Sequence, residues 1–188
     1  MIELIDIESV KKSLPLKDNG IKNYIYIMNL LHQCNVSKNE DFKKKYNGFY
    51  RLRLPSSNYY DFYYEYMEKN KYNTSLTFED VVTTLSKTTG RIEASFSSKL
   101  LATINPDLPV WDANVLSNIN IKAPKYNDKD KLDKTIKTYY NLKNWYKSYM
   151  QTKNAADIIN LFDNIYPDYK ITNIKKIDLA LWSLGKSK

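Results

Sequence analysis

Asp112 is the residue whose type and position most directly suggest chemistry. It follows the segment NPDLPVW and precedes an apolar stretch that begins at Ala113. The two prolines hold the residues before them out of the helical region, so we expect an extended loop that ends at a helix start. A carboxylate at this point could stabilise an oxocarbenium-like transition state and orient or deprotonate a water molecule. The structural alternative is an N-cap, which stabilises a helix by about 1 kcal/mol.

Arginine is the second residue type that suggests a binding function. The chain has only three arginines beside 26 lysines, and Arg51 and Arg53 are spaced i, i+2 in NGFYRLRLP. Arginine offers a planar, bidentate donor geometry that lysine lacks. A phosphate would satisfy this geometry, and so would a structural carboxylate such as Asp163 or Asp178. The third arginine, Arg91, stands at a predicted helix start, where it is either a phosphate ligand or a surface residue.

Six aromatic residues are concentrated between Tyr59 and Tyr66. Rings interleaved with lysine can form a stacking platform for single-stranded nucleic acid. Because these rings lie on every face of the predicted helix, the pattern favours packing in the core. The single histidine, His32, and the single cysteine, Cys34, fall on different helix faces, so a catalytic dyad is not expected.

Composition sets the remaining bounds on fold and function. The chain has 188 residues, enough for a hydrophobic core, and its one cysteine excludes an intramolecular disulfide and a Cys-built zinc site. We find no P-loop, Rossmann glycine pattern, H-E-x-x-H or EF-hand loop, so neither a cofactor nor a metal is expected. The amino terminus has no signal-like pattern, and no long apolar run occurs. These features predict a cytoplasmic protein without membrane contact.

The formal net charge of +8 permits a polyanionic partner. Lysine, asparagine, isoleucine and tyrosine all have A/T-rich codons, however, and all are abundant in this chain. Codon bias is therefore the alternative explanation of the charge. The sequence leaves the oligomeric state open.

The apolar spacing is helical almost throughout, with four glycines, six prolines and no hairpin signal. It predicts an all-α fold of about nine or ten helices, in a single domain over 1–188 that could be two-lobed. A break is expected at Pro55. The predicted helix starts include Ser37 (a capping box with Glu40), Thr77, Asp112 and Asn154, and the predicted ends include Gly90 and Asn105.

The segment from Leu85 to Ile119 combines a helix, a glycine turn, a second helix, a proline-containing loop and Asp112 at a helix start. It resembles the helix-hairpin-helix, Gly/Pro-Asp (HhH-GPD) superfamily of DNA glycosylases. In that superfamily a hairpin grips phosphate through backbone N–H groups, and an Asp at a helix head reaches the flipped nucleotide. Leu85 and Gly90 match the ends of the hairpin, and VWDANV at 110–115 matches the superfamily's V-D-x-H-V segment.

The resemblance implies an HhH-GPD-like core, DNA as a partner and Asp112 as the catalytic residue. Ile92 and Glu93 stand where bifunctional members keep a lysine nucleophile, so a monofunctional N-glycosylase that uses Asp and water is implied. The wider pattern of NGFYR, EASFSSKLL, INPDLPVWD and KKIDLALW is similar to a bacterial protein family without an assigned activity.

Two alternatives to a glycosylase stay open. One is a non-catalytic DNA-binding module, and the other is a protein-interaction or defence protein that makes no contact with nucleic acid. Trp111 could stack on a base or sugar, or it could be a core residue. The residues expected to contact nucleic acid are Arg51, Arg53, Gly90, Arg91, Lys99, Trp111 and Asn114.

Overall fold

The computed structural model describes residues 4–53 and 56–185, and it confirms the predicted all-α fold. Within these residues the chain forms ten α-helices and one short 3₁₀ helix (Pro15–Lys17), with no β-strand. The finer prediction of a glycosylase-like core stays a prediction. The helices are α1 (Ile7–Ser13), α2 (Asp18–Leu31), α3 (Glu40–Tyr50), α4 (Ser57–Asn70), α5 (Phe78–Thr89), α6 (Ala94–Ile104), α7 (Ala113–Asn118), α8 (Lys131–Tyr149), α9 (Lys153–Ile165) and α10 (Asn173–Ser183).

Local capping chemistry explains several helix boundaries. Thr77 and Asp80 form a reciprocal capping box at the start of α5, and Gly90 ends this helix in the left-handed region at φ 68°. The side chain of Asp112 accepts a hydrogen bond from the backbone of Asn114 and caps α7. Each of these three boundaries lies where the sequence predicts it.

Two predicted caps are wrong because a neighbouring residue performs the capping. Asn39 caps α3, and the hydroxyl of Ser37 instead donates to the side chain of Asn35 at 2.7 Å. Thr152 caps α9, while the Asn154 amide bonds both the N–H and the carbonyl of a distant backbone residue, Ile5. The predicted break at Pro55 lies outside the described residues.

The described chain divides into two compact units. The central unit is Asp18–Asn105 and contains α2 to α6. The terminal unit combines Met1–Lys17 with Pro106–Lys188 and contains α1 and α7 to α10. The boundary falls inside the 85–119 segment, so the α5–α6 hairpin belongs to the central unit and Asp112 belongs to the terminal unit. The prediction of a single domain over 1–188 stays a prediction.

No described helix combines the length and the apolarity needed to cross a membrane.

Tyrosines form much of the core of the central unit. Tyr59, Tyr63 and Tyr64 of α4 are buried, which agrees with the packing expected for this aromatic helix. The Tyr63 hydroxyl donates to the carbonyl of Phe96 at 2.9 Å and lies 2.9 Å from the Tyr46 hydroxyl. Since Tyr63 has one proton to donate, Tyr46 is the donor between the two phenols. This chain of hydrogen bonds connects α3, α4 and α6.

The core of the terminal unit is built around α10. Every residue from Lys175 to Leu181 is buried, including three that carry a charge: Lys175, Lys176 and Asp178. Helix α10 contacts α1, α7 and α9. A helix that is buried on all sides must satisfy its polar side chains internally, and those side chains are the framework for the site described below.

Buried phenols predict a loss of stability at alkaline pH. Burial holds the pKa of Tyr46 and Tyr63 well above the ordinary value of 10.0, and raises the pKa of Tyr59 to about 12. The unfolded chain releases these protons near pH 10, whereas the folded chain keeps them. The stabilisation is therefore complete below pH 10 and is lost as the pH rises toward 12 and above, by at most about 1.4 kcal/mol per pH unit for each phenol.

Chemical denaturation at a series of pH values, with tyrosinate absorbance recorded in parallel, tests this expectation. Tyr46→Phe should lower stability at neutral pH but reduce the steepness of the alkaline loss, because one buried phenol fewer ionises on unfolding. Full tyrosinate formation near pH 10 by a chain that stays folded would contradict the expected burial.

Candidate functional site

Asp112 lies at the first turn of α7 and is half-buried. Its Oδ1 accepts the backbone N–H of Asn114 at 2.8 Å. The second carboxylate oxygen, Oδ2, has no hydrogen-bond partner within the described part of the chain. The N-cap role is therefore present, but it occupies only one of the two oxygens. The other remains available for a water molecule or a ligand.

The loop that precedes Asp112 is fixed at two points. The hydroxyl of Tyr139 on α8 donates to the carbonyl of Pro109 at 3.0 Å, and the hydroxyl of Thr172, before α10, donates to the carbonyl of Pro106 at 2.7 Å. Trp111 is 7% exposed, which agrees with the alternative of a core residue. Because the loop is held from two sides, the position of Asp112 is set by the interior of the terminal unit.

A buried polar network lies close to Asp112. The Lys175 ammonium donates to Oδ2 of Asp178 at 2.7 Å, and the Tyr146 hydroxyl lies 3.3 Å from Oδ1 of the same carboxylate. Burial, followed by the charges of Asp178 and Asp112, holds the pKa of the Tyr146 phenol well above its ordinary value. Asp112 therefore lies near enough to Tyr146 to act on it electrostatically, and this phenol stays protonated.

The arginines do not pair with the carboxylates that the sequence offers as structural partners. Asp178 bonds Lys175, and Asp163 bonds Lys176 at 2.7 Å. Arg51 ends α3 in the left-handed region at φ 49°, and both it and Arg53 are exposed. Neither of them makes an ion pair with a described residue.

The turn between α5 and α6 uses its own backbone donors. The N–H of Gly90 donates to the Ser86 carbonyl at 2.8 Å, and the N–H of Arg91 donates to the Thr89 hydroxyl at 3.2 Å. These two donors are therefore occupied and do not point at an open phosphate position. The Arg91 side chain itself is exposed and makes no ion pair with a described residue.

Lys99 lies in the interior of the chain. It is 8% exposed, and its ammonium donates to the carbonyl of Tyr50 at 3.0 Å and lies 5.4 Å from the centre of the Phe96 ring. An ammonium bound in this way stabilises the end of α3 and does not present its charge at the surface. The last candidate, Asn114, is half-buried in the first turn of α7.

Sequence reasoning overlooked the buried pair of Lys175 and Asp178. Their spacing of i, i+3 places both side chains on one helix face, and this spacing of opposite charges is typical of an ion pair within a helix. The sequence points to Asp178 of KKIDLALW only as a possible partner of an arginine, because the burial of the charged side chains in this segment depends on packing that the sequence does not show locally. No group of His, Cys, Asp or Glu suited to a metal ion occurs among the residues that the structure describes.

Removing the acidic member of the buried pair should strongly destabilise the protein. Asp178→Asn removes the carboxylate that bonds the buried Lys175 ammonium, so we expect the free energy of unfolding to fall by about 3–5 kcal/mol. The matched control is Asp163→Asn, which removes the half-exposed partner of Lys176 and should cost within about 1 kcal/mol. Urea denaturation followed by circular dichroism measures both. Equal losses in the two variants would show that the burial of Asp178 has no special cost.

Comparison with protein-family models, with curated protein sequences and with solved structures yields no match to this chain.

Proposed function

We propose that the protein binds nucleic acid. The observation that carries the proposal is the state of the arginines: Arg51, Arg53 and Arg91 are exposed, lie in the central unit and form no ion pair within the described chain. A guanidinium without a carboxylate partner is free to bind a phosphate in bidentate fashion. The net charge of +8 adds a long-range attraction to any polyanion.

Replacing the three arginines together tests this proposal. Arg51→Gln, Arg53→Gln and Arg91→Gln in one chain should weaken binding to a labelled duplex oligonucleotide by about tenfold or more, because direct phosphate contacts are lost. The affinity is measured by fluorescence anisotropy at fixed ionic strength.

The matched control removes the same charge from exposed lysines of the same unit, with Lys38→Gln, Lys44→Gln and Lys69→Gln. A purely electrostatic contribution should cost this control only about threefold or less. Equal weakening by the two triple variants would mean that bulk charge, and not the arginines, attracts the oligonucleotide.

A second function, hydrolytic base release, is favoured by the free Oδ2 of Asp112. In such a reaction the N-glycosidic bond breaks, and the base leaves with the electron pair and takes up a proton. Asp112 would stabilise the positive charge that develops on the sugar and would accept a proton from the attacking water as it bonds to C1′. This chemistry is that of a monofunctional N-glycosylase and needs neither a lysine nucleophile nor a cofactor.

Asp112→Asn separates catalysis from binding. Asparagine is also a favoured N-cap, so α7 should keep its start and the protein should keep its fold. The substrates are duplexes with a single uracil, hypoxanthine, 8-oxoguanine or ethenoadenine, and abasic sites are detected by alkaline strand cleavage. We expect the variant to release base at least about a hundredfold more slowly, with unchanged duplex affinity.

Asp168→Asn is the control, because Asp168 is exposed in the same unit and lies outside the candidate site. Base release at an equal rate by Asp112→Asn and by the unaltered protein would refute the catalytic role. Binding without release from any of the duplexes would favour the non-catalytic module.

A further inference from the structure

A cavity of about 510 Å³ lies in the terminal unit along one face of α8. Tyr140, Lys143 and Lys147 lie one helical turn apart on α8 and form its rim together with Gln151, in the turn that follows the helix. Its volume falls within the range of ligand pockets, about 300–1,000 Å³. None of the residues that the sequence predicts to bind nucleic acid lines this cavity.

One wall of the cavity comes from outside α8. It consists of Pro109 from the fixed loop and Ile174 from the first turn of α10. The hydrogen bond from Tyr139 to the Pro109 carbonyl holds that loop against α8. Tyr146 and Met150 complete the apolar part of the lining. A planar ring could pack against this apolar part of the lining, the apolar slot.

Two lysine ammonium groups make the rim cationic. The Lys143 and Lys147 side chains are exposed, and neither makes an ion pair or hydrogen bond with any residue that the structure describes. Their spacing of i, i+4 brings two positive charges together on the helix surface, and this repulsion is relieved when an anion binds between them. Asp107 is the one acidic residue of the lining, so positive charge predominates.

The remaining rim groups suit a heterocyclic base. The Tyr140 ring is 42% exposed and can stack on a base. The side-chain amides of Asn144 and Gln151 also line the cavity and have no hydrogen-bond partner among the described residues. Each amide offers both a donor and an acceptor to a base edge.

We infer that this cavity binds one nucleotide, with its phosphate between Lys143 and Lys147 and its base against Tyr140 and the apolar wall. The inference rests on the proposed function in taking the phosphorylated ligand to be a unit of nucleic acid. A free phosphate would use only the lysines, and an uncharged ring would use only the slot. A nucleotide is the ligand class that uses both.

Titration of the full chain with 2′-deoxynucleoside 5′-monophosphates, followed by amide NMR shifts, tests the inference. Deoxynucleosides and inorganic phosphate are titrated in parallel. We expect the nucleotides to shift amides along 140–151 and to bind more tightly than either fragment. Lys143→Gln with Lys147→Gln should weaken nucleotide binding about tenfold or more, and Tyr140→Ala several-fold, whereas Tyr140→Phe should bind normally.

Lys137→Gln is the matched control, because Lys137 is exposed on the same helix but does not line the cavity. Its nucleotide affinity should equal that of the unaltered chain. Inorganic phosphate that binds as tightly as the nucleotides would overturn the inference, since the ring would then contribute nothing. Absence of shifts along 140–151, or equal affinity in all the lysine variants, would also overturn it.

Duplex and single-stranded oligonucleotides, tested on the same variants, separate this inference from the proposed function. Nucleotide binding in the cavity without oligonucleotide binding would support the inference and refute the proposed function. Oligonucleotide binding that is unchanged by the Lys143 and Lys147 substitutions, with no nucleotide shifts, would refute the inference and leave the proposed function standing.

Discussion

The ion pair between Lys175 and Asp178 is the interaction on which the terminal unit depends. Both residues are at most 5% exposed. Two charges can be removed from water only if they meet each other and their other lone pairs are satisfied. Tyr146 satisfies part of this requirement from α8. This hydrogen bond connects α8 to α10 at the buried pair. The loop before Asp112 and the wall of the α8 cavity both rest on these two helices.

The central unit meets a similar requirement with neutral phenols and with buried lysines, among them Lys71 and Lys99. The hydrogen-bonded chain from Tyr46 through Tyr63 to the Phe96 carbonyl supplies polar partners inside an aromatic core. The Lys99 ammonium serves the carbonyl at the end of α3 in the same way. The Lys99 ammonium is bonded in the interior, whereas the arginines are exposed. The arginines are therefore the cations of the central unit that are best suited to an external phosphate.

The sequence predicted elements whose causes are local. Apolar periodicity, the Thr77 capping box, the left-handed Gly90 and the Asp112 cap all depend on residues within one or two helical turns. Ser37 and Asn154 failed as predicted caps because equally suitable cap residues lie two positions away, and propensity alone does not choose between them.

The properties of the site were harder to predict because they depend on packing between helices. Lysine is exposed in most proteins, and nothing in the local sequence distinguishes the buried Lys99 and Lys175 from the exposed Lys143 and Lys147. The cavity likewise arises only where α8, the proline-containing loop and α10 meet. The proposed arginine contacts were accessible from the sequence because three arginines among many lysines are a compositional signal.

The measurement that tests the central claim most directly is the salt dependence of binding between the unaltered chain and a labelled duplex. If three guanidiniums contact phosphates, the logarithm of the association constant should fall linearly with the logarithm of salt concentration, with a slope of about −2.7 or steeper. Binding that is absent at low salt, or that does not change with salt, would contradict the claim that this protein binds nucleic acid.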